Sequence, residues 1–367
     1  MREALLLAVS AALSLLLGLL AVRWLAPGLL RSPSEVRIVQ ADERVVPFYE
    51  NVFRPEDRAS SEAILPDPTL VVRSRPFLED RRQLGPTDAL GFRNHAVPSR
   101  SRVVTIGDSQ TYGTTVPIDD AWPHVLSRRL GDAAGVYDMS TGGWGAAQYL
   151  AMWEAAAFFE PEVVVVAFYA GNDPRDSFSA AYSIERFASL RPDAALGVDD
   201  LPPVTWPSPP EEVWALRFGG RNGQTVAFTP VLRLASNLDD PAVAAGWEVM
   251  ARVAERILAD AAQGGPQPLF TVIPTKERAF ELRLRAAGAK PHAAYDALVA
   301  GEARYSAALV RRIEAAGGFV VDVAGPLRDA VRTSLAIYPP DTNGHMAPRG
   351  HALVAERMRG PVAALLD

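Results

Sequence analysis

The chain has 367 residues, 49% hydrophobic and 22% charged, with a net charge of −6; this is an ordinary globular composition with room for one large domain or two small ones. The acidic balance argues against a protein that tracks nucleic-acid phosphates, which would carry a basic face. No cysteine is present, which removes disulfides, thiolate metal sites and a cysteine nucleophile together.

Residues Ala4 to Val22 form an uncharged run rich in Leu and Ala, with Arg2 and Glu3 before it and Arg23 after. At about 1.5 Å per residue the run matches the roughly 30 Å hydrocarbon core of a bilayer. It exceeds the 7–15 or so apolar residues of a signal peptide and lacks a clean small-x-small cleavage site. A single-pass transmembrane anchor over 1–23 is expected, with a cleaved signal sequence, and hence a secreted or periplasmic protein, as the alternative. Arg23, Arg31 and Arg37 would hold the body in the cytoplasm by charge count alone. Large domains cross despite such flanks, and the body is expected to be extracytoplasmic. Residues 24–100, rich in Pro and Arg, read as a membrane-proximal lead-in packing on the main domain, which spans 101–367.

From Arg102 onward short apolar runs alternate with helical stretches. The expected strands are Val103–Ile106, Val136–Met139, Val163–Phe168, Leu269–Ile273 and Phe319–Val323. Nearly continuous apolar runs of this length suit parallel strands buried on both faces. Helices are expected over Ala121–Leu130, Ala146–Phe159, Val243–Ala262 and Ala293–Ala316, with Gly264-Gly265 and Gly317-Gly318 as stops. This alternation implies a parallel α/β sheet whose ligands bind beyond the carboxyl ends of the strands. The stretch from about 177 to 240, with Trp206, Trp214 and Phe218, breaks the pattern. It reads as an insertion that either lines a substrate groove or forms a cap with its own small core.

Four blocks follow the strands on the side where such a sheet binds ligands. Gly107-Asp108-Ser109-Gln110 follows the first strand, placing a serine at a helix start, where amides can stabilise an oxyanion. A capped helix start reads the same way. Ser140-Thr141-Gly142-Gly143 follows the second, where the Gly143 N–H is a possible oxyanion donor or part of a tight turn. Gly171-Asn172-Asp173 follows the third, offering a side-chain amide or an Asx turn. Asp341-Thr342-Asn343-Gly344-His345 follows the fifth, pairing a carboxylate that could fix a tautomer with an imidazole that could take a proton. His351 reads as a packed or capping residue, and His95, His124 and His292 have no motif around them.

These Ser, Gly, Asn and His blocks, in that order, resemble the signature of the SGNH/GDSL hydrolase superfamily over roughly Arg102 to the C-terminus, most poorly between Ser177 and Asp240. More narrowly the chain looks like membrane-anchored or secreted bacterial members, in which Gly91-Phe92-Arg93 precedes the serine block and Ile273-Pro274-Thr275-Lys276-Glu277 ends the fourth strand. The resemblance implies a flavodoxin-like three-layer α/β/α sandwich with a mostly parallel five-stranded sheet. It implies Ser109 as nucleophile, Gly143 and Asn172 as oxyanion partners of the Ser109 amide, and His345 as base. The family's acid stands three residues before the histidine, and that position here is Thr342. Either Asp341 reaches His345 through a loop one residue longer, or a backbone carbonyl orients the ring. Gln110-Thr111 stands where many relatives carry Leu or another apolar residue.

The expected activity is serine ester hydrolysis through an acyl-enzyme, on a small-molecule or glycan ester outside the cytoplasm. Transfer of the acyl group to a cell-surface polysaccharide, and an inactive glycan-binding relative, are the alternatives. No Gly-x-Ser-x-Gly elbow, P-loop or HExxH pattern occurs, so no metal or cofactor is expected, and no nucleic-acid partner.

Overall fold

A computed structural model of the protein describes residues 63–79, 84–131, 134–204, 213–218, 223–229, 237–291 and 293–366. The expected anchor at 1–23 lies outside the described residues. Among the described residues no helix is long and apolar enough to cross a membrane.

The described part opens with an antiparallel hairpin, β1 (Ile64–Asp67) and β2 (Val71–Ser74). The central sheet then begins. β3 (Val103–Gly107) leads through a short helix α1 (Ser109–Tyr112) to α2 (Trp122–Leu130) and β4 (Val136–Asp138). α3 (Ala146–Ala156), β5 (Val163–Tyr169) and α4 (Asp173–Ser183) follow. A second antiparallel hairpin, β6 (Trp214–Phe218) and β7 (Gln224–Phe228), precedes α5 (Pro241–Ala261) and β8 (Gln267–Ile273). The chain ends with α6 (Lys276–Ala286), α7 (Ala293–Ala315), β9 (Phe319–Val321), α8 (Ala324–Thr333) and α9 (Pro348–Leu366).

The five strands of the main sheet lie in the order β4-β3-β5-β8-β9, all parallel. The five expected strands are these five, with ends moved by a residue or two. β5 explains why the sheet was easy to read. All seven of its residues, Val163 to Tyr169, are buried, and a strand covered on both faces needs no polar alternation. Val163, Val165 and Ala167 pack with Trp122 and Leu126 of α2, Leu327 and Val331 of α8, and Val354 and Met358 of α9. On the alternate parity Phe168 stacks on Phe270, with ring centroids 6.2 Å apart, and meets Tyr149 of α3 at 5.8 Å. Two helical layers therefore enclose the sheet.

The strand order also locates the site. The chain leaves β3 for β4 on one side, then returns to β5 on the other. The crevice at the carboxyl ends of β3 and β5 is thus the point where the winding reverses, the usual ligand position in an open α/β sheet. Ser109 and Asn172 sit directly after those two strands.

The stretch expected as an insertion from residue 177 begins as regular structure. α4 runs through Ser183, with Phe178 stacked on Tyr182 at 4.0 Å. Its β6–β7 hairpin is bound to the core by aromatic packing. Trp214 lies 5.3 Å from both Phe228 and Tyr295, and Phe228 lies 5.3 Å from Phe280. Trp214 and Phe218 are therefore packing residues, not the exposed aromatics of a groove; Trp206 lies outside the described residues.

Candidate active site

Ser109 is the first residue of α1. The preceding Asp108 caps that helix, its carboxylate accepting the Gln110 N–H at 2.9 Å. A methyl on Gly107 would sit 2.2 Å from Thr111 Oγ1, so glycine is required where strand turns into helix. The turn leaves the Ser109 hydroxyl at the strand's carboxyl end. Ser109 Oγ lies 2.8 Å from His345 Nε2 and 3.2 Å from Asp108 Oδ2. Residues 236 positions apart are brought into hydrogen-bond contact.

The hydrogen bonds around His345 decide which ring nitrogen carries the proton. Asn343 Oδ1 accepts the backbone N–H of His345 at 2.9 Å. A backbone N–H can only donate, so the atom facing it is the amide oxygen. The same oxygen lies 2.7 Å from His345 Nδ1, which must then carry the hydrogen. Nε2 is left with its lone pair toward Ser109, the tautomer a general base needs.

Asn343, not Asp341, meets the ring. The Asp341 side chain is exposed and its carboxylate accepts the Asn343 N–H at 3.0 Å. The expected Asp341–His345 contact is thus replaced by one from the residue two before the histidine. The cause is the path of the loop. Lys276 Nζ draws in the carbonyls of Pro339 (2.7 Å) and Asp341 (2.6 Å) and, at 3.4 Å, that of Asn343. Lys276 thus holds the backbone of both residues, and within the turn the Asp341 carboxylate is spent on the Asn343 N–H, which leaves the Asn343 side chain to meet the ring.

In the sequence Lys276 stands only as part of the motif that ends the fourth strand, and nothing there assigns it a role. Its side chain is nearly fully buried, lies 5.5 Å from the Phe228 ring centroid and is held mainly by backbone oxygens. Burial pushes its ammonium down to about 8, against nearby Glu277 and Asp341 charges that favour the charged form. The β6–β7 hairpin adds a further tie to the same loop, the Ala227 N–H donating to Pro340 O at 2.8 Å.

Gly143 and Asn172 border the same crevice. Gly143 adopts φ +80, a left-handed conformation that side chains resist. A methyl on the adjacent Gly142 would lie 3.7 Å from Ser109 Cβ, so the glycine block runs beside the serine. The Asn172 amide donates to Asp176 Oδ2 at 2.5 Å, which fixes its orientation and leaves its second N–H for another acceptor. Beneath them Asp173 accepts from Tyr149 Oη at 2.9 Å and from the Tyr169 N–H at 2.8 Å, bracing the loop. Burial, with the nearby Asp176 charge adding to it, pushes the Asp108 carboxyl up to about 7.

Two further sets of contacts had weaker sequence signals. Arg93 of the Gly-Phe-Arg segment is fully buried, and its guanidinium donates to the carbonyls of Gly85 (3.0 Å), Tyr112 (3.0 Å), Gly113 (2.5 Å) and Val116 (2.8 Å). It therefore ties residues before the sheet to the end of the serine's helix. The β1–β2 hairpin reaches the glycine block through Trp144 Nε1–H to Val72 O (2.7 Å) and Gln148 Nε2–H to Leu70 O (3.0 Å). The other histidines lie elsewhere. His351 is buried in α9, where its Nδ1 accepts the Trp122 N–H at 3.3 Å. His124 meets the Arg93 carbonyl at 2.8 Å, His95 lies 3.7 Å from Asp119 at the surface, and His292 is outside the described residues.

No protein-family model and no curated protein matches the chain. Solved structures that it resembles include LAE5, an alpha/beta hydrolase from the metagenome of Lake Arreo, Spain, at 14% identity, covering 73% of this chain and 96% of that one with a TM-score of 0.40. An acetylxylan esterase from Geobacillus stearothermophilus, solved as a catalytic mutant, is 10% identical over 72% and 95% at TM-score 0.40. A GDSL-like lipase from Bacteroides thetaiotaomicron is 11% identical over 72% and 88% at TM-score 0.38.

Proposed function

We propose that this protein is a serine ester hydrolase of the SGNH/GDSL type, working through an acyl-enzyme on Ser109. The observation that carries the proposal is the 2.8 Å contact between Ser109 Oγ and a His345 Nε2 whose lone pair is fixed by Asn343.

The chemistry follows from that contact. Nε2 takes the hydroxyl proton as Oγ attacks the ester carbonyl, forming a tetrahedral oxyanion. The N–H groups of Ser109 and Gly143 and the Asn172 amide are the donors for that oxyanion. As the intermediate collapses, the imidazolium returns its proton to the departing alcohol. Water then attacks the acyl-enzyme, giving its proton to Nε2; the second tetrahedral intermediate collapses, the imidazolium protonates the departing Ser109 Oγ, and the carboxylic acid is released. Asn343 holds the tautomer throughout. Being neutral, it stabilises the imidazolium less than a carboxylate would, since hydrogen bonds to charged groups are roughly twice as strong.

The substrate we infer is an acyl ester, of a small molecule or a glycan, met outside the cytoplasm. What supports that location is the uncharged segment Ala4 to Val22, long enough to anchor the chain; a reporter fused to the C-terminus reads the orientation. The test of the activity is hydrolysis of a short acyl ester such as p-nitrophenyl acetate by the wild type and by Ser109→Ala. The proposal expects turnover by the first and none above background by the second. Equal turnover by both would refute it.

A further inference from the structure

We propose that Gln110 is a positioning residue for the base, locking His345 to the nucleophile's own helix. The inference rests on the assignment of Ser109 and His345 made above and extends it to a residue outside the four-block signature.

Gln110 follows Ser109 in α1, and its side chain is buried, only 1% exposed. Its amide reaches the base loop at two points. Nε2 donates to Gly344 O at 3.1 Å, and Oε1 accepts the Met346 N–H at 3.3 Å. Gly344 and Met346 are the two neighbours of His345 in the chain. One planar amide thus grips the backbone on both sides of the base. The grip has one orientation, because a carbonyl can only accept and a backbone N–H can only donate. A flipped amide would oppose oxygen to oxygen and N–H to N–H.

This geometry sets the distance on which the reaction depends. Gln110 is covalently joined to Ser109, and its amide is bonded to the peptides flanking His345. Displacement of the base loop away from the hydroxyl must therefore break both bonds. Lys276 and Ala227 hold the same loop through the carbonyls of Pro339, Pro340, Asp341 and Asn343, whereas Gln110 holds it at the two residues flanking the base. With a neutral Asn343 orienting the ring, alignment depends more on the rigidity of this backbone than it would with a carboxylate partner. An apolar residue at 110 would leave the Gly344 carbonyl and the Met346 N–H without this partner in a half-closed site.

The test compares the full-length wild type with Gln110→Met, which keeps the length and loses both bonds, and with Gln110→Glu. Steady-state hydrolysis of p-nitrophenyl acetate is followed from pH 5 to 8, with Ser109→Ala in parallel. For Gln110→Met we expect kcat to fall about 10- to 100-fold, the scale of a modest misplacement of reacting groups, with KM within about twofold of wild type. Gln110→Glu, when ionised, still accepts from Met346 but cannot donate to Gly344. Its kcat relative to wild type should therefore rise as the pH falls and the carboxyl regains a proton, whereas the Gln110→Met ratio stays flat. A wild-type kcat in Gln110→Met overturns the proposal, and so does a loss expressed in KM alone. If Gln110→Met does not fold, the Gln110→Glu ratio decides, and a ratio independent of pH counts against the role. Activity retained by Ser109→Ala would instead overturn the esterase assignment, so the two failures are told apart.

Discussion

Asn343 Oδ1 lies 2.7 Å from His345 Nδ1 and accepts the backbone N–H of the same histidine. One oxygen therefore sets both the rotation of the ring and the nitrogen that carries its proton. Asn343→Ala should lower kcat about 100-fold, the order expected when the base is free to adopt the wrong tautomer or direction. Asp341→Ala should stay within about threefold of wild type, because its carboxylate caps the turn and faces Lys276 but does not meet the ring. Asn343→Asp should restore activity and move the acid limb of the pH–rate profile to higher pH, a carboxylate favouring the protonated ring. Ester hydrolysis by the three variants checks all of this. A collapse in Asp341→Ala with an unaffected Asn343→Ala would reverse the assignment.

Asn172, just after β5, has one amide N–H anchored on Asp176, and the proposed mechanism uses the other as an oxyanion donor. Loss of a single oxyanion donor costs about 2.7–4 kcal/mol of barrier. Asn172→Ala should therefore reduce kcat by about two to three orders of magnitude while binding is little changed. Presteady-state acylation rates would show it most cleanly.

Lys276 joins the carbonyls of Pro339 and Asp341 beneath the base loop. Hydrogen bonds to a charged group contribute about 1.5–3 kcal/mol each. Lys276→Met should lower stability by at least that order and depress kcat through a loosened loop. Urea unfolding and ester hydrolysis measured together separate the two effects; unaltered values in both would deny it a part in holding the loop.

His351 is buried and neutral, with burial pushing it down to about 3 from an ordinary 6.5. The unfolded chain takes up this proton as the pH falls through 6.5, while the folded protein resists until about 3. Its contribution to stability is thus present above pH 6.5 and is lost progressively between pH 6.5 and 3, an effect on the order of a few kcal/mol. His351→Asn, which keeps an acceptor for Trp122 and does not titrate, should show a shallower fall in denaturation midpoint from pH 7 to 4 than the wild type. Parallel curves would contradict the buried neutral state.

The sheet was legible because β3, β5 and β8 are buried on both faces and so read as unbroken apolar runs. The Ser109, Gly143 and Asn172 blocks were legible because each follows a strand, β3, β4 and β5; the His345 block is separated from β9 by α8, a helix absent from the expected elements, and stands in the loop before α9. The orienter was not legible. Asp341 and Asn343 stand in one short loop, and choosing between them depends on the local turn, in which the Asp341 carboxylate accepts the Asn343 N–H and Asn343 Oδ1 accepts the His345 N–H. Gln110 was equally hidden, since its partners are backbone atoms that no residue pattern announces. The two antiparallel hairpins escaped because β6 and β7 bury only part of their length, and β2 carries Val71 at φ +69, a conformation that β-branched residues seldom adopt.

The most direct measurement is peptide mapping by mass spectrometry after treatment with a fluorophosphonate ester, comparing wild type with Ser109→Ala and with His345→Ala. The account predicts one adduct, on the peptide containing Ser109, absent from the first variant and strongly slowed in the second. An adduct elsewhere in the chain, or labelling unchanged by loss of the Ser109 hydroxyl, would contradict it.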